Sequence, residues 1–271
     1  MLKNIAKRVP HFETILVLVL VAVLFGIIVS YFSFRTPPEV YKYRRLGETL
    51  AVQGRDGVPG CAGCHGQKGE GNPQAGFPRL AGLPAPYIIK QLEDFARDEP
   101  LTGAHFDPIA RDYSKTPRID VPLSVLTPGT RRDVTMSPIA KSLTADERTQ
   151  LGHYYASLAF KATPVPGDPE TLERGEDLVL RGKPEYGVPG CFSCHGQNGV
   201  GVGAVFPPIA GQPAQYTIEQ INRWQSGARD NDENALMRSI AIWMTDGDKH
   251  YVAAYLANLS HEVKDGRPVV R

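Results

Sequence analysis

The chain has 271 residues, enough for two domains of about 100 residues each with length to spare. Its 30 basic and 29 acidic side chains balance, which excludes both the basic stripe of a nucleic-acid binder and the acidic run of a solvating tail. Charged residues at 22% and apolar residues at 42% suit folded domains, and 27 glycines with 23 prolines imply irregular loops between short helices.

The first predicted element is an apolar helix. From Ile15 to Phe34, "ILVLVLVAVLFGIIVSYFSF" carries no charge, and at 1.5 Å per residue it covers a hydrocarbon core of about 30 Å. A cleaved signal peptide would have a shorter apolar stretch, about 7–15 residues, ending in small residues. Here the run ends in Tyr31, Phe32 and Phe34, so the pattern predicts an uncleaved transmembrane anchor within residues 1–36. Flanking charge does not orient it, because Lys3, Lys7 and Arg8 precede the run and Arg35, Lys42, Arg44 and Arg45 follow. "RTPPEV" (35–40) reads as a stiff spacer.

The rest is written twice. "GVPGCAGCHGQKGEG" (57–71) matches "GVPGCFSCHGQNGVG" (187–201), and "FPRLAGLPAPYIIKQLEDF" (77–95) matches "FPPIAGQPAQYTIEQINRW" (206–224). "MSPIAKSLTADERTQLGHYYASL" (136–158) answers "MRSIAIWMTDGDKHYVAAYLANL" (237–259). The predicted domains are 37–161 and 172–271, joined by a proline-rich linker at 162–171. Their lengths differ because His65 to Met136 spans far more chain than His195 to Met237, which places an insertion at about 96–135.

Each repeat opens with a helix carrying a glycine, Gly47 or Gly175, expected to admit the closing helix at Tyr154 or Tyr155 and at Tyr255. "APYIIKQLEDFA" and "AQYTIEQINRWQSG" have apolar residues at helical spacing. Thr144 and Glu147 form a capping box before the closing helix of the first repeat; Thr245 and Asp248 form a weaker version in the second. No alternating strand pattern of useful length occurs, so the fold class is all-α.

All four cysteines sit in two C–x–x–C–H motifs: Cys61, Cys64 and His65, then Cys191, Cys194 and His195. This suits covalent haem c, in which the thiols add to the haem vinyl groups and the adjacent histidine binds iron. Two C–x–x–C pairs could instead share a zinc ion, or either could be a redox dithiol. Zinc does not require a histidine after each pair, and a thioredoxin-like dithiol needs a βαβ context that is absent. Haem c is attached outside the bacterial inner membrane, so both repeats are expected in the periplasm with Met1 cytoplasmic. Glycines 66, 69 and 71, like 196, 199 and 201, let a loop approach a flat ring.

A six-coordinate haem needs a second ligand, for which methionine is the thioether option. The methionines are Met1, Met136, Met237 and Met244. Met136 and Met237 are equivalent, each followed by x–x–Ile–Ala, whereas Met244 aligns with Leu143 and reads as core. His105 lies in the insertion, and His11, His153, His250 and His261 have no repeat-matched histidine.

Taken together, CxxCHG, "FPxLAG", "PxYxxxQL", the Met–x–x–Ile–Ala stretch and the closing "YYASL" or "AYLANL" resemble the dihaem cytochrome c4 family over roughly 45–161 and 172–262. The resemblance implies two tandem class I cytochrome c domains facing each other, here after one N-terminal transmembrane helix. It implies iron ligation by His65 with Met136 and by His195 with Met237, two covalently bound haem c groups, and electron transfer rather than catalysis. Expected partners are the membrane and redox proteins such as a quinol-oxidising complex, a small periplasmic carrier or a terminal oxidase, with no nucleic acid. A dihaem peroxidase would need an open iron position, which a matched methionine in each repeat denies. A dihaem subunit of a cbb3-type oxidase shares one anchor and two CxxCH motifs and is the alternative reading. The insertion reads as a docking surface for a partner or as a lid over the first haem.

Overall fold

The computed structural model describes residues 12–34, 38–98, 130–161, 167–203, 205–259, 262–264 and 267–268, with side chains over 14–25, 40–98, 130–161, 167–203 and 205–259. Two compact units divide the chain, residues 1–42 and 43–271.

In the first unit, α1 (Phe12–Phe34) occupies the apolar run. Ile15, Leu16, Leu18, Leu20, Leu24 and Phe25 are all exposed along it. Among the described residues no helix is long and apolar enough to cross a membrane. The transmembrane helix expected within residues 1–36 is therefore not supported by the described fold.

The first repeat comprises α2 (Pro38–Gln53), α3 (Ala62–His65), α4 (Ala85–Ala96), α5 (Met136–Ser142) and α6 (Ala145–Ser157). The second repeats that order with α7 (Pro169–Arg181), α8 (Phe192–His195), α9 (Ala214–Gln225), α10 (Leu236–Ala241) and α11 (Asp246–Asn258). Both repeats belong to the unit 43–271. Helix starts follow from local chemistry. Asp168 caps α7 by accepting the Thr171 N–H at 2.9 Å, with Pro169 at the first helical position. Both capping boxes close in full: the Glu147 N–H donates to Thr144 Oγ1 at 3.2 Å and the Thr144 N–H to Glu147 Oε2 at 2.8 Å. Asp248 makes the same pair with Thr245, at 3.2 and 2.8 Å, so the second box is not the weaker one in geometry.

Each box carboxylate also holds a cation from the turn before the CxxCH motif. Arg55 grips Glu147 with Nε to Oε1 at 2.5 Å and a second bond to Oε2 at 2.8 Å. Lys183 reaches Asp248 Oδ2 at 2.9 Å in the same place. These long-range pairs are a hidden equivalence of the two halves, because neither Arg55 nor Lys183 stands out in its local sequence.

Opening and closing helices pack with almost no gap. A Cβ on Gly47 would lie 2.2 Å from the Gln150 carbonyl oxygen and 2.8 Å from Tyr154 Cβ. A Cβ on Gly175 would lie 2.2 Å from Tyr251 O and 2.6 Å from Tyr255 Cβ. Tyr154, not Tyr155, is thus the first-repeat contact; Tyr155 meets Gly69 instead. Around these crossings Leu50, Ile88, Leu92, Phe95, Leu151 and Tyr155 form the first core, and Val179, Val252 and Leu256 the centre of the second.

The structure adds a small antiparallel sheet absent from the sequence reading. Strands β1 (Phe160–Lys161), β2 (Glu262–Lys264) and β3 (Arg267–Pro268) pair in that order, with Phe160 opposite Val263 and Val263 opposite Pro268. Strands of two or three residues are too short to show alternation, and Pro268 is tolerated because β3 is an edge. The sheet brings the C-terminal segment back to the end of the first repeat.

Candidate functional site

The two CxxCH turns have the same geometry. Cys61 begins the one-turn helix α3, closed by the His65 N–H on the Cys61 carbonyl at 2.9 Å. Cys191 does the same for α8, with His195 N–H on its carbonyl at 2.9 Å. The loops then return under the histidines: the Gly71 N–H meets His65 O at 2.7 Å, and the Gly201 N–H meets His195 O at 2.7 Å. Each imidazole is clamped by a proline carbonyl, His65 Nδ1 on Pro78 O at 2.9 Å and His195 Nδ1 on Pro207 O at 2.8 Å. A carbonyl only accepts, so Nδ1 carries the proton and Nε2 keeps its lone pair. Phe77 and Phe206 stand edge-on to the two rings at 5.9 and 6.2 Å.

Burial pushes the His65 and His195 imidazoles below their usual range, which favours the neutral form a metal needs. Burial also raises the Cys61 thiol and carries that of Cys191 up to about 11. Among the four cysteines there is no disulfide.

One continuous cavity of about 910 Å³ reaches both motifs. Cys61, Cys64, His65 and Met136 line it in the first repeat, and Cys191, Cys194, His195 and Met237 in the second. Every predicted site residue is therefore brought to one space. Asp133 accepts the N–H of Thr135 at 2.9 Å and of Met136 at 2.8 Å, fixing the start of α5. In the second repeat Asp232 accepts the Arg238 N–H at 2.9 Å and pairs with its guanidinium at 2.9 Å. Met244 also borders the cavity, but it packs on Val179, Val252 and Leu256 as its alignment with Leu143 implied. His153 stacks on Tyr43, and His250 meets Tyr251 edge-on. His11, His105 and His261 lie outside the described side chains.

These residues fit covalent tetrapyrroles. Paired thiols with no disulfide, a histidine presenting a bare Nε2, and a largely apolar wall suit an iron porphyrin, whereas four-cysteine zinc needs the two pairs together. Among the described residues no group of three or more His, Cys, Asp or Glu is placed to hold a metal ion.

Sequence reasoning missed a buried polar layer between the repeats. Arg131, at the end of the insertion, donates to Gln91 Oε1 at 2.8 Å, Gln220 Oε1 at 2.8 Å and Tyr216 OH at 2.7 Å. Arg229 donates to Gln220 Oε1 at 2.9 Å and Gln91 Oε1 at 3.2 Å. Backbone joins them too: Arg131 bridges Arg229, and the Asp230 N–H donates to Thr130 O at 3.1 Å. Residues 99–129 of the insertion lie outside the described residues; its end at 130–133 packs against the second repeat, a role neither the docking nor the lid reading foresaw. The signal available was the twice-written Tyr–x–x–x–Gln, whose two residues fall on one helix face.

Arg79 was also missed. It is fully buried, donates to Ala81 O at 2.6 Å and Ala210 O at 3.2 Å, and lies over the Phe160 ring at 4.4 Å. Its backbone N–H and carbonyl pair with the Gln212 amide at 3.0 and 3.1 Å, a second tie between repeats. Burial pushes its guanidinium down to about 9.

Known proteins resemble this chain in sequence and in fold. Residues 179–260 match the family Cytochrome c. A protein of Thiomonas intermedia named "Thiosulfate dehydrogenase electron acceptor" is 39% identical over 199 residues, covering 73% of this chain and 77% of that one. "Cytochrome c4" of Thiocapsa roseopersicina is 34% identical over 203 residues, covering 74% and 87%. The crystal structure of reduced recombinant cytochrome c4 from Pseudomonas stutzeri superposes with a TM-score of 0.61 at 28% identity, over 80% of this chain and 98% of that one.

Proposed function

The chain belongs to the dihaem cytochrome c4 family and carries two covalent haem c groups, and on that premise we propose that it is a membrane-tethered periplasmic electron carrier taking electrons from thiosulfate dehydrogenase. It is an electron-transfer protein, not an enzyme. The bound iron porphyrins supply one-electron couples; the chain decides how they are held. Cys61 with Cys64, and Cys191 with Cys194, would form the thioether links. His65 and His195 offer Nε2 because proline carbonyls hold the Nδ1 protons. Met136 and Met237, which line the same cavity, would hold the irons through their thioether sulfurs and so leave no position open to substrate.

The observation that carries this reading is the matched set of cysteines, histidine and methionine on one cavity in each repeat. Two such sites in one compact unit let electrons enter at one repeat and leave at the other. The donor is inferred from the name of the Thiomonas relative. The tether is residues 1–36, supported by the uncharged run Ile15 to Phe34 and by the exposed apolar side chains of α1. With the N-terminus cytoplasmic, the haem domains lie on the periplasmic side of the inner membrane.

The test is stopped-flow reduction of the full-length oxidised protein, in detergent, by thiosulfate dehydrogenase and thiosulfate. Both centres should be reduced at a rate that rises with dehydrogenase concentration and falls with added salt. Absence of enzyme-dependent reduction, with prompt reduction by dithionite, would refute the donor.

A further inference from the structure

The two attachment sites are near copies, yet one polar atom separates them. The match of 136–158 to 237–259 sets Tyr155 opposite Leu256. Both side chains are 2% exposed, and both line the cavity. Their backbones do the same work: Tyr155 O accepts the Gly82 N–H at 2.9 Å, and Leu256 O accepts the Gly211 N–H at 2.8 Å. The ring of Tyr155 lies against Gly69, where a Cβ would meet its Cε1 at 2.7 Å. In the second repeat a Cβ on the equivalent Gly199 would meet Phe192 Cε1 at 3.0 Å and Ile209 Cγ1 at 3.1 Å. Phe192 stands where the first repeat has Ala62. The aromatic ring over this glycine is thus supplied from either side, and the change that remains is a hydroxyl.

That hydroxyl is buried and makes no well-formed hydrogen bond among the described residues. A buried donor left unpaired is unfavourable, so its neighbours decide its use. Cys61 packs on the core cluster that contains Tyr155. Burial, and then the neighbouring Cys61, push the phenol far above its usual range, so it stays protonated. On Cys61 burial raises the thiol, while the Tyr155 hydroxyl works in the opposite sense, as a donor to sulfur does. A thiol carries a proton of its own, whereas a thioether sulfur can only accept. Attachment therefore turns Cys61 into the kind of partner the phenol lacks.

We propose that the Tyr155 hydroxyl donates a hydrogen bond to the thioether sulfur of Cys61, and that this bond makes the first redox centre, and not the second, easier to reduce. The proposal rests on the dihaem reading above. The O–H dipole presents its positive end to a sulfur joined to the ring, and in a buried site such a dipole is weakly screened. It favours the form that holds one more electron. Tyr155 moves no proton in this: the centre gains one electron and the phenol stays neutral. Leu256 has no donor to offer, so the two near-identical repeats are told apart by one atom.

The test is a redox titration of the full-length holoprotein, with haem content measured first. Proton magnetic resonance follows each centre, assigned to its repeat through contacts with Phe77 or Phe206. Tyr155→Phe, which keeps the ring and removes the hydroxyl, should make the first centre about threefold harder to reduce and leave the second unmoved. That is ~28 mV, since tenfold is about 59 mV for one electron. No shift, an equal shift at both centres, or a shift of the first in the other direction overturns the bond and leaves the dihaem reading intact. Fewer than two haems in the wild type overturns both. Should Tyr155→Phe fail to fold or to take up both haems, resonance Raman spectra of the wild type in light and heavy water decide. A carbon–sulfur stretching band of the first centre that moves on deuteration, with that of the second fixed, supports the bond. Bands that are fixed at both centres, or that move at both, overturn it.

Discussion

Gly47→Ala sets two physical effects against each other. Alanine is the better helix former, and replacing a helical glycine gains about 1 kcal/mol where space allows. At Gly47 the new methyl would sit 2.2 Å from the Gln150 carbonyl oxygen and 2.6 Å from its carbon, far inside the 3.4 Å at which ordinary contact begins. These are backbone atoms of α6, so no rotamer change relieves them; the helices must part. Overpacking of this kind costs about 1–3 kcal/mol and sometimes more, and here it loosens contacts of Leu50, Ala51, Leu151 and Tyr154 as well. The net expectation is a loss of ~2 kcal/mol. Gly175→Ala should behave alike, since its methyl would meet Tyr251 O at 2.2 Å. Gly247→Ala is the control: it meets nothing nearer than 3.6 Å and should be neutral or stabilising by up to ~1 kcal/mol. Urea unfolding of the holoprotein, followed by far-ultraviolet circular dichroism and by the haem absorption, measures all three. If Gly47→Ala or Gly175→Ala raised the midpoint as Gly247→Ala does, the close-crossing argument would be wrong.

Three further outcomes are expected. The Arg55 guanidinium, through its hydrogen bonds, holds the Glu147 carboxyl down to about 2, so the contribution of Glu147 is full above pH 4.5 and fades as pH falls through about 2. Glu147→Gln should therefore weaken the protein at pH 7 and match wild type near pH 2, read as urea midpoints across that range. Met136→Ala and Met237→Ala should each remove about half of the far-red sulfur-to-iron charge-transfer band, while Met244→Ala keeps it; loss of the band with Met244→Ala would reassign the second-repeat ligand. Deleting residues 1–36 should give a soluble protein with both haems, recovered in the supernatant after ultracentrifugation, whereas native protein found soluble with its N-terminus beyond Phe34 would refute the anchor.

How much was legible in sequence follows from how far apart the interacting residues lie. Haem attachment needs two thiols and an imidazole within five consecutive positions, so Cys61 to His65 and Cys191 to His195 announce it in any fold. Helices α4, α6, α9 and α11 are likewise written in three- and four-residue spacings and in caps spanning four residues. The duplication supplied a further instrument: equivalence across repeats singled out Met136 and Met237 and set Met244 aside as core. The three short strands escaped because two or three residues carry no period, and β1 pairs with a segment about 100 residues further along the chain.

The polar layer escaped for a deeper reason. A linear reading takes arginine and glutamine as surface residues, since their transfer from water is unfavourable in isolation. Arg131 and Gln220, 89 residues apart, become buried together only after the two repeats dock. Arg79 and Gln212, 133 residues apart, do the same. The sequence by itself determined the chemistry, two covalent attachment motifs on two helical repeats, because those signals are local and covalent. Only the tertiary structure decided that the repeats meet through buried cations on one shared cavity, because desolvation and charge compensation depend on every neighbour in space and not on neighbours in the chain.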